Sequence, residues 1–195
     1  MTGRGSGRLA AMKRRVLPLL LALALAACAS DLVVVLPGEE SYTIATIASK
    51  VSLVVPKGRL VQHTRDTSGN EYPPHYFYLS DLSDPARTLI LSGWFEKASQ
   101  FPGIDEYWRQ TLASDAAKGL PRRVDVRFSK DRGADVIEYQ VVLPELSGRT
   151  NSHLIAHWVE EGTWVELHAS LTSKLPVAEN QAQLEDFFHS IALKE

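Results

Sequence analysis

The stretch Ser152–Leu171, SHLIAHWVEEGTWVELHASL, constrains this chain more than any other. Two runs of alternating character meet at Glu161-Gly162, a pair suited to a two-residue hairpin turn. With those two residues as the loop, Glu160 faces Thr163, Trp158 faces Val165, Ala156 faces Leu167 and Leu154 faces Ala169. That face is apolar and belongs on a core. The other face pairs Val159 with Trp164, His157 with Glu166 and Ile155 with His168, with His153 near its end. Because strand side chains repeat every two residues, a slip of one would exchange the faces. One face thus explains folding, and the other gathers titratable groups.

The front of the chain reads as an address. Lys13-Arg14-Arg15 is a basic n-region, Val16–Ala27 is an apolar h-region, and small residues follow. The run is shorter than the roughly 20 residues that span a bilayer, so a permanent transmembrane helix is not expected. Met12 stands directly before the basic cluster, and the expected start is there. Leu25-Ala26-Ala27-Cys28 resembles the lipobox of bacterial lipoproteins, in which the cysteine is diacylated and the chain is cut before it. Ordinary secretory cleavage after Ala29 is the rival reading. Cys28 is the only cysteine. Lipidation there would leave the mature chain without a disulfide or a thiol nucleophile, and its acyl chains would hold it on a membrane. In lipoproteins of this kind an Asp after the cysteine favours the inner membrane. Ala29 in that place implies the periplasmic face of the outer membrane, in a bacterial cell envelope.

Removing residues 1–27 takes away five basic residues and no acid. That leaves 16 basic against 23 acidic residues, a net charge of −7. Such a domain offers no electrostatic footprint for nucleic acid. Residues 28–41 read as a lipidated tether and possible first strand, and 42–195 as one α+β domain. Tyr42–Ile47, Val51–Val55, Tyr76–Leu79 and Thr88–Phe95 read as strands, with a polar loop over Thr64–Pro74 and turn residues over Asp81–Arg87. Ile104–Lys118 has helical spacing and ends at Gly119-Leu120-Pro121. Val124–Phe128 and Asp135–Leu143 form a hairpin through Lys130–Gly133. Pro144–Arg149 is a loop, and Ala178–Leu193 a closing helix with Leu184, Phe187, Phe188 and Ile191 on its apolar stripe. Hairpin-linked strands with two separated helices imply an antiparallel sheet flanked by helices.

Val51–Gly58, a strand ending in Pro-Lys-Gly, and Phe187-Phe188-His189-Ser190-Ile191 at the close resemble the superfamily of PsbP, the extrinsic photosystem II subunit, and related lipoprotein domains. Members often carry an aromatic after that glycine, where this chain has Arg59. The resemblance implies an αβα sandwich used mostly for binding rather than catalysis, and transfers no functional residue.

Two candidate sites remain. His153, His157, Glu166 and His168 share the polar hairpin face, where opposed residues sit about 5 Å apart. Three imidazoles and a carboxylate suit Zn²⁺ or Cu²⁺, while a solvated sheet face explains the same residues without a ligand. Tyr72, Tyr76 and Tyr78 follow the polar loop around Pro73-Pro74, and tyrosine favours recognition surfaces. The alternative has Phe77 and Leu79 in the core and Tyr76 and Tyr78 covering a helix. Trp94, Tyr107 and Trp108 are expected in sheet–helix packing. No G-x-S-x-G elbow, H-E-x-x-H, phosphate loop or EF-hand pattern is present. The reading is a membrane-anchored, extracytoplasmic, non-catalytic binding module for a protein partner. Metal or small-ligand binding on the histidine face is the alternative, and a hydrolase comes third.

Overall fold

The hairpin forms in the register that the alternation predicts. In a computed structural model of the chain, which describes residues 32–142 and 148–194, Trp158 opposes Val165, His157 opposes Glu166 and Ile155 opposes His168. Glu161 and Gly162 take φ of 47° and 76°, the left-handed pair whose twist matches that of the flanking strands. The leader, the proposed start at Met12, the Cys28 lipidation site and most of the Pro144–Arg149 loop lie outside the described residues.

Around this hairpin the chain lays down β1 (Val33–Pro37), β2 (Ser41–Thr46), β3 (Ser52–Pro56), β4 (Val61–His63), β5 (Tyr76–Asp84), β6 (Arg87–Lys97) and helix α1 (Ile104–Ala117). Then come β7 (Arg123–Asp131), β8 (Ala134–Val141), β9 (Thr150–Glu160), β10 (Thr163–Ser173), helix α2 (Val177–Ser190) and β11 (Ala192–Lys194). The larger sheet has the order β4-β5-β6-β10-β9-β8-β7, with the hairpin near its middle. A smaller sheet has the order β1-β2-β3-β11.

On one face of the large sheet, Leu154, Ala156, Trp158, Val165, Leu167 and Ala169 are buried. They pack with Ile44, Leu53 and Val55 of the small sheet and with Leu184 and Phe188 of α2. The layer expected to be helix alone is therefore a helix beside a four-stranded sheet. The opposite face carries α1, whose Trp108 packs with Ile137, Tyr139 and Ile155. Leu112, one turn beyond Trp108, is 42% exposed, so α1 anchors through its first turns.

Two further expectations change, and one strand, β4, is new. The closing helix stops at Ser190 rather than Leu193, because Ala192–Lys194 pairs with Ser52–Val54 and completes the small sheet. β4 lies in a segment without alternating character. β5 runs on to Asp84 through residues read as a turn. The Asp81 carboxylate accepts hydrogen bonds from the Ser83 N–H (3.0 Å) and hydroxyl (2.6 Å) at an irregularity in the β5–β6 pairing, so turn chemistry here serves a bulge.

Two polar devices hold α2. Asn180, fully buried, donates to Ser152 Oγ at 2.9 Å and the Leu171 carbonyl at 2.7 Å, and accepts from the Ser173 hydroxyl at 2.7 Å. At the other end, Arg132 Nη1 donates to the Phe188 and His189 carbonyls at 3.1 and 2.9 Å, satisfying helix-end acceptors. Arg132 and Gly133 hold φ of 52° and 80°, the turn that aims this guanidinium at the helix.

Candidate functional site

Cross-strand pairing places both sequence candidates on one sheet face. Tyr76 opposes Trp94, Trp94 opposes Glu166, Glu166 opposes His157, and His157 opposes Asp135. The next row runs His63, Tyr78, Ser92, His168, Ile155, Ile137. Opposed residues project to the same side. The face therefore passes from tyrosines over β5 to histidines over β9 and β10, and α1 covers the histidine end.

Under α1 the polar groups are dry. His157 and Glu166 are each 2% exposed. The Trp164 indole N–H donates to His157 Nδ1 at 3.1 Å, and Glu166 Oε2 lies 3.7 Å from the same nitrogen. The Tyr107 ring meets His157 edge-on at 4.3 Å, with Phe101 stacked nearby at 5.4 Å. Burial pushes the Glu166 carboxyl up to about 8, against a smaller opposing effect of the Tyr107 hydroxyl. Burial likewise lowers His157 to about 4. At neutral pH this pair is an uncharged acid beside an uncharged imidazole.

A second pair lies beside the first. His153 Nδ1 and His168 Nε2 are 2.9 Å apart, and the Tyr139 hydroxyl is 3.3 Å from the same His168 nitrogen. The Tyr139 ring stacks flat on His153 at 4.7 Å. Arg123 covers the group, 4.5 Å over Tyr139 and 5.1 Å over Trp108, and its Nε bonds Asp115 at 2.6 Å. Burial lowers His168 to about 4 and drives His153 well down; for His153 the neighbouring His168 and Arg123 add to the effect, and for His168 Arg123 does. His153 Nε2, His157 Nε2 and Glu166 Oε2 are buried without a hydrogen-bond partner.

The four residues read as one metal-ligand set thus form two pairs. Among the described residues no group of three or more His, Cys, Asp or Glu side chains is arranged to hold a metal ion. The solvated face expected as the alternative is not formed around His157 and Glu166, which α1 covers, while His153 and His168 keep part of their surface exposed beside Arg123. Sequence reasoning missed Arg123 and Tyr139, which complete this layer. Their strands were legible, but not the pairing that sets Tyr139 opposite His153 or the reach of Arg123 over Tyr139 from β7.

The uncovered end is aromatic. Tyr72 stacks on Tyr78 at 5.4 Å and tilts onto Tyr76 at 5.2 Å, His63 meets Tyr78 edge-on at 5.5 Å, and Tyr76 approaches Trp94 at 6.4 Å. Phe77 and Leu79 do enter the core, yet the ring neighbours of Tyr76 and Tyr78 are these aromatics rather than α1. The loop leading to Tyr72 is pinned by Asp66. Its carboxylate accepts the N–H groups of Ser68 and Asn70 at 2.8 and 2.9 Å, and these bonds hold it below the usual carboxylate range, the Asn70 backbone foremost. Leu32, Val35, His63, Tyr72, Pro74 and Tyr76 help line a cleft of about 420 Å³.

Two sheets, with α2 beside the small sheet and α1 across the outer face of the large one, form an α+β domain whose fold is like that of PsbP. The likeness is to a solved structure, the solution structure of cyanobacterial PsbP (CyanoP) from Synechocystis, with a TM-score of 0.52 at 9% identity, covering 82% of this chain and 95% of that one. At that identity the likeness concerns the fold alone. No protein-family model matches the chain, and no curated protein matches it.

Proposed function

We propose that the chain is a lipid-anchored, extracytoplasmic binding module without catalysis, held through Cys28 and engaging a protein partner at the Tyr72–Tyr76–Tyr78 surface. The observation that carries this reading is the division of one sheet face. Its titratable groups lie beneath α1 in uncharged form, while its tyrosines border an open cleft. Tyrosine supplies large contact area with a polar tip at small entropic cost. Among the described residues no helix is long and apolar enough to cross a membrane, so attachment in this reading rests on the acylated cysteine. Its place would be the periplasmic face of the outer membrane. Recovery of crosslinked partners from cells tests it. The intact chain is expected to retain one partner at near-stoichiometric yield and the Cys28→Ala form to lose it, whereas equal recovery from both would end the anchored-adaptor reading.

The unpartnered His153, His157 and Glu166 atoms favour a second reading, capture of Zn²⁺ or Cu²⁺ after α1 moves aside. Calorimetric titration of the parent and of a His157→Ala/His168→Ala form decides it. No metal-dependent stabilisation of the parent would remove it.

A further inference from the structure

The cleft lies beside the point where the chain leaves the domain towards Cys28. Only residues 29–32 separate that cysteine from Val33, so the two Cα atoms are at most about 18 Å apart even with the chain extended. The Val33 N–H donates to the Pro74 carbonyl at 2.7 Å, between Tyr72 and Tyr76. If the acyl chains of Cys28 are in a bilayer, the Tyr72 cleft is held close above the headgroups.

The cleft also lies between two open sheet edges. β1 ends the small sheet and β4 ends the large one, and both contribute walls. Val33 turns its N–H away from β2, so Val35, two residues on, turns its N–H and C=O the same way. No strand of the described residues pairs with that side; the Val33 N–H is taken by Pro74 and Pro37 has no N–H, so Val35 supplies the open donor and acceptor. An open edge beside aromatic pockets accepts an extended peptide, the main chain pairing with the edge and alternate side chains entering the cleft. Local charge is balanced: Arg65 pairs with Glu71 at 3.1 Å, and Asp66 is spent on its own loop. Leu32 and Val61 are 42% and 57% exposed. These features select an extended, largely uncharged segment.

Resting on the anchored reading above, we infer that the partner is an integral membrane protein, engaged through an extended segment adjoining its point of entry into the bilayer. The segment adds to the β1 edge and places side chains in the Tyr72 cleft.

The test replaces Tyr72 with p-benzoylphenylalanine in the full chain, in cells, with the same replacement at exposed Phe128 on the far edge strand β7 as a control. Photo-crosslinked peptides are mapped by mass spectrometry, and the mass of the amino-terminal peptide reports acylation of Cys28 separately. The expected result is one membrane protein, crosslinked from Tyr72 and not from Phe128, within about ten residues of a spanning segment. Yield should fall about tenfold or more in the Cys28→Ala form, because the anchor supplies effective concentration. With Cys28 acylated, crosslinks only to lipid, only to soluble proteins, or at no higher yield than from Phe128 overturn this inference and leave the anchor standing. An unmodified Cys28 overturns both.

Discussion

The tyrosine end and the histidine end of the outer sheet face differ mainly in what lies over them. Both are built on the same antiparallel strands, and a single row runs from Tyr76 through Trp94 and Glu166 to His157. Over the histidine end, α1 lays Tyr107 and Trp108, Arg123 closes the side, and Glu166 and the imidazoles lose their charge. Over the tyrosine end there is only the Asp66 loop, and the cleft stays open. The residues read as metal ligands thus lie beneath a helix, and the tyrosines read as a recognition surface border an open cleft.

The largest effect should come from joining the two ends too tightly. A Cβ on Gly93 would stand 2.0 Å from the Glu166 carbonyl and 3.0 Å from the Phe77 ring. Gly93→Ala must therefore push β6 from β10, at a cost of about 4 kcal/mol, read as a shifted denaturation midpoint. Trp108→Ala empties the contact of α1 with Ile137, Tyr139 and Ile155. It should cost about 3 kcal/mol and admit solvent to the histidine pairs, seen as faster amide exchange in β9 and β10.

The pH profile sharpens the contrast next. His157 and His168 are held near 4 in the folded state and His153 is also lowered, against about 6.5 unfolded. Between those values the unfolded chain binds more protons, so stability rises with pH and is lost on acidification. Glu166, raised to about 8 from 4.5, acts oppositely: the folded chain holds the proton, and stability falls as pH climbs towards 8. The histidines outnumber it below 6.5, so thermal stability should peak near pH 6.5. Glu166→Gln should remove the decline above that value, and an unchanged decline would show that another group causes it.

The smallest stability change belongs to Tyr72→Ala, at or below about 1 kcal/mol, because that ring is only half-buried and its loop is held by Asp66. Its denaturation midpoint should stay near that of the parent while partner recovery falls.

Local rules made the hairpin, its register and the span of α1 legible in the sequence, since alternation and turn chemistry act over a few residues. They did not reveal β11, because helix spacing continues through Ile191 and the small sheet recruits the last residues only once folded. β4, three residues long, owes its existence to β5 and carries no pattern of its own. For the site, the sequence located the polar face but not its cover. The approach of Arg123 and Tyr107 to it depends on where a helix crosses, which side-chain periodicity does not encode. The nearness of Pro74 to Val33, which sets the cleft beside the tether, is likewise a contact between distant segments.

Partner recovery from cells, compared across the two ends of the face, tests the central claim most directly. Full-length chains carrying Tyr72→Ala or His168→Ala, each verified as folded by its denaturation midpoint, would be crosslinked and captured in parallel with the parent. The account predicts loss of the partner with Tyr72→Ala and retention with His168→Ala. Retention with Tyr72→Ala and loss with His168→Ala would contradict it, and would move the binding surface to the layer beneath α1.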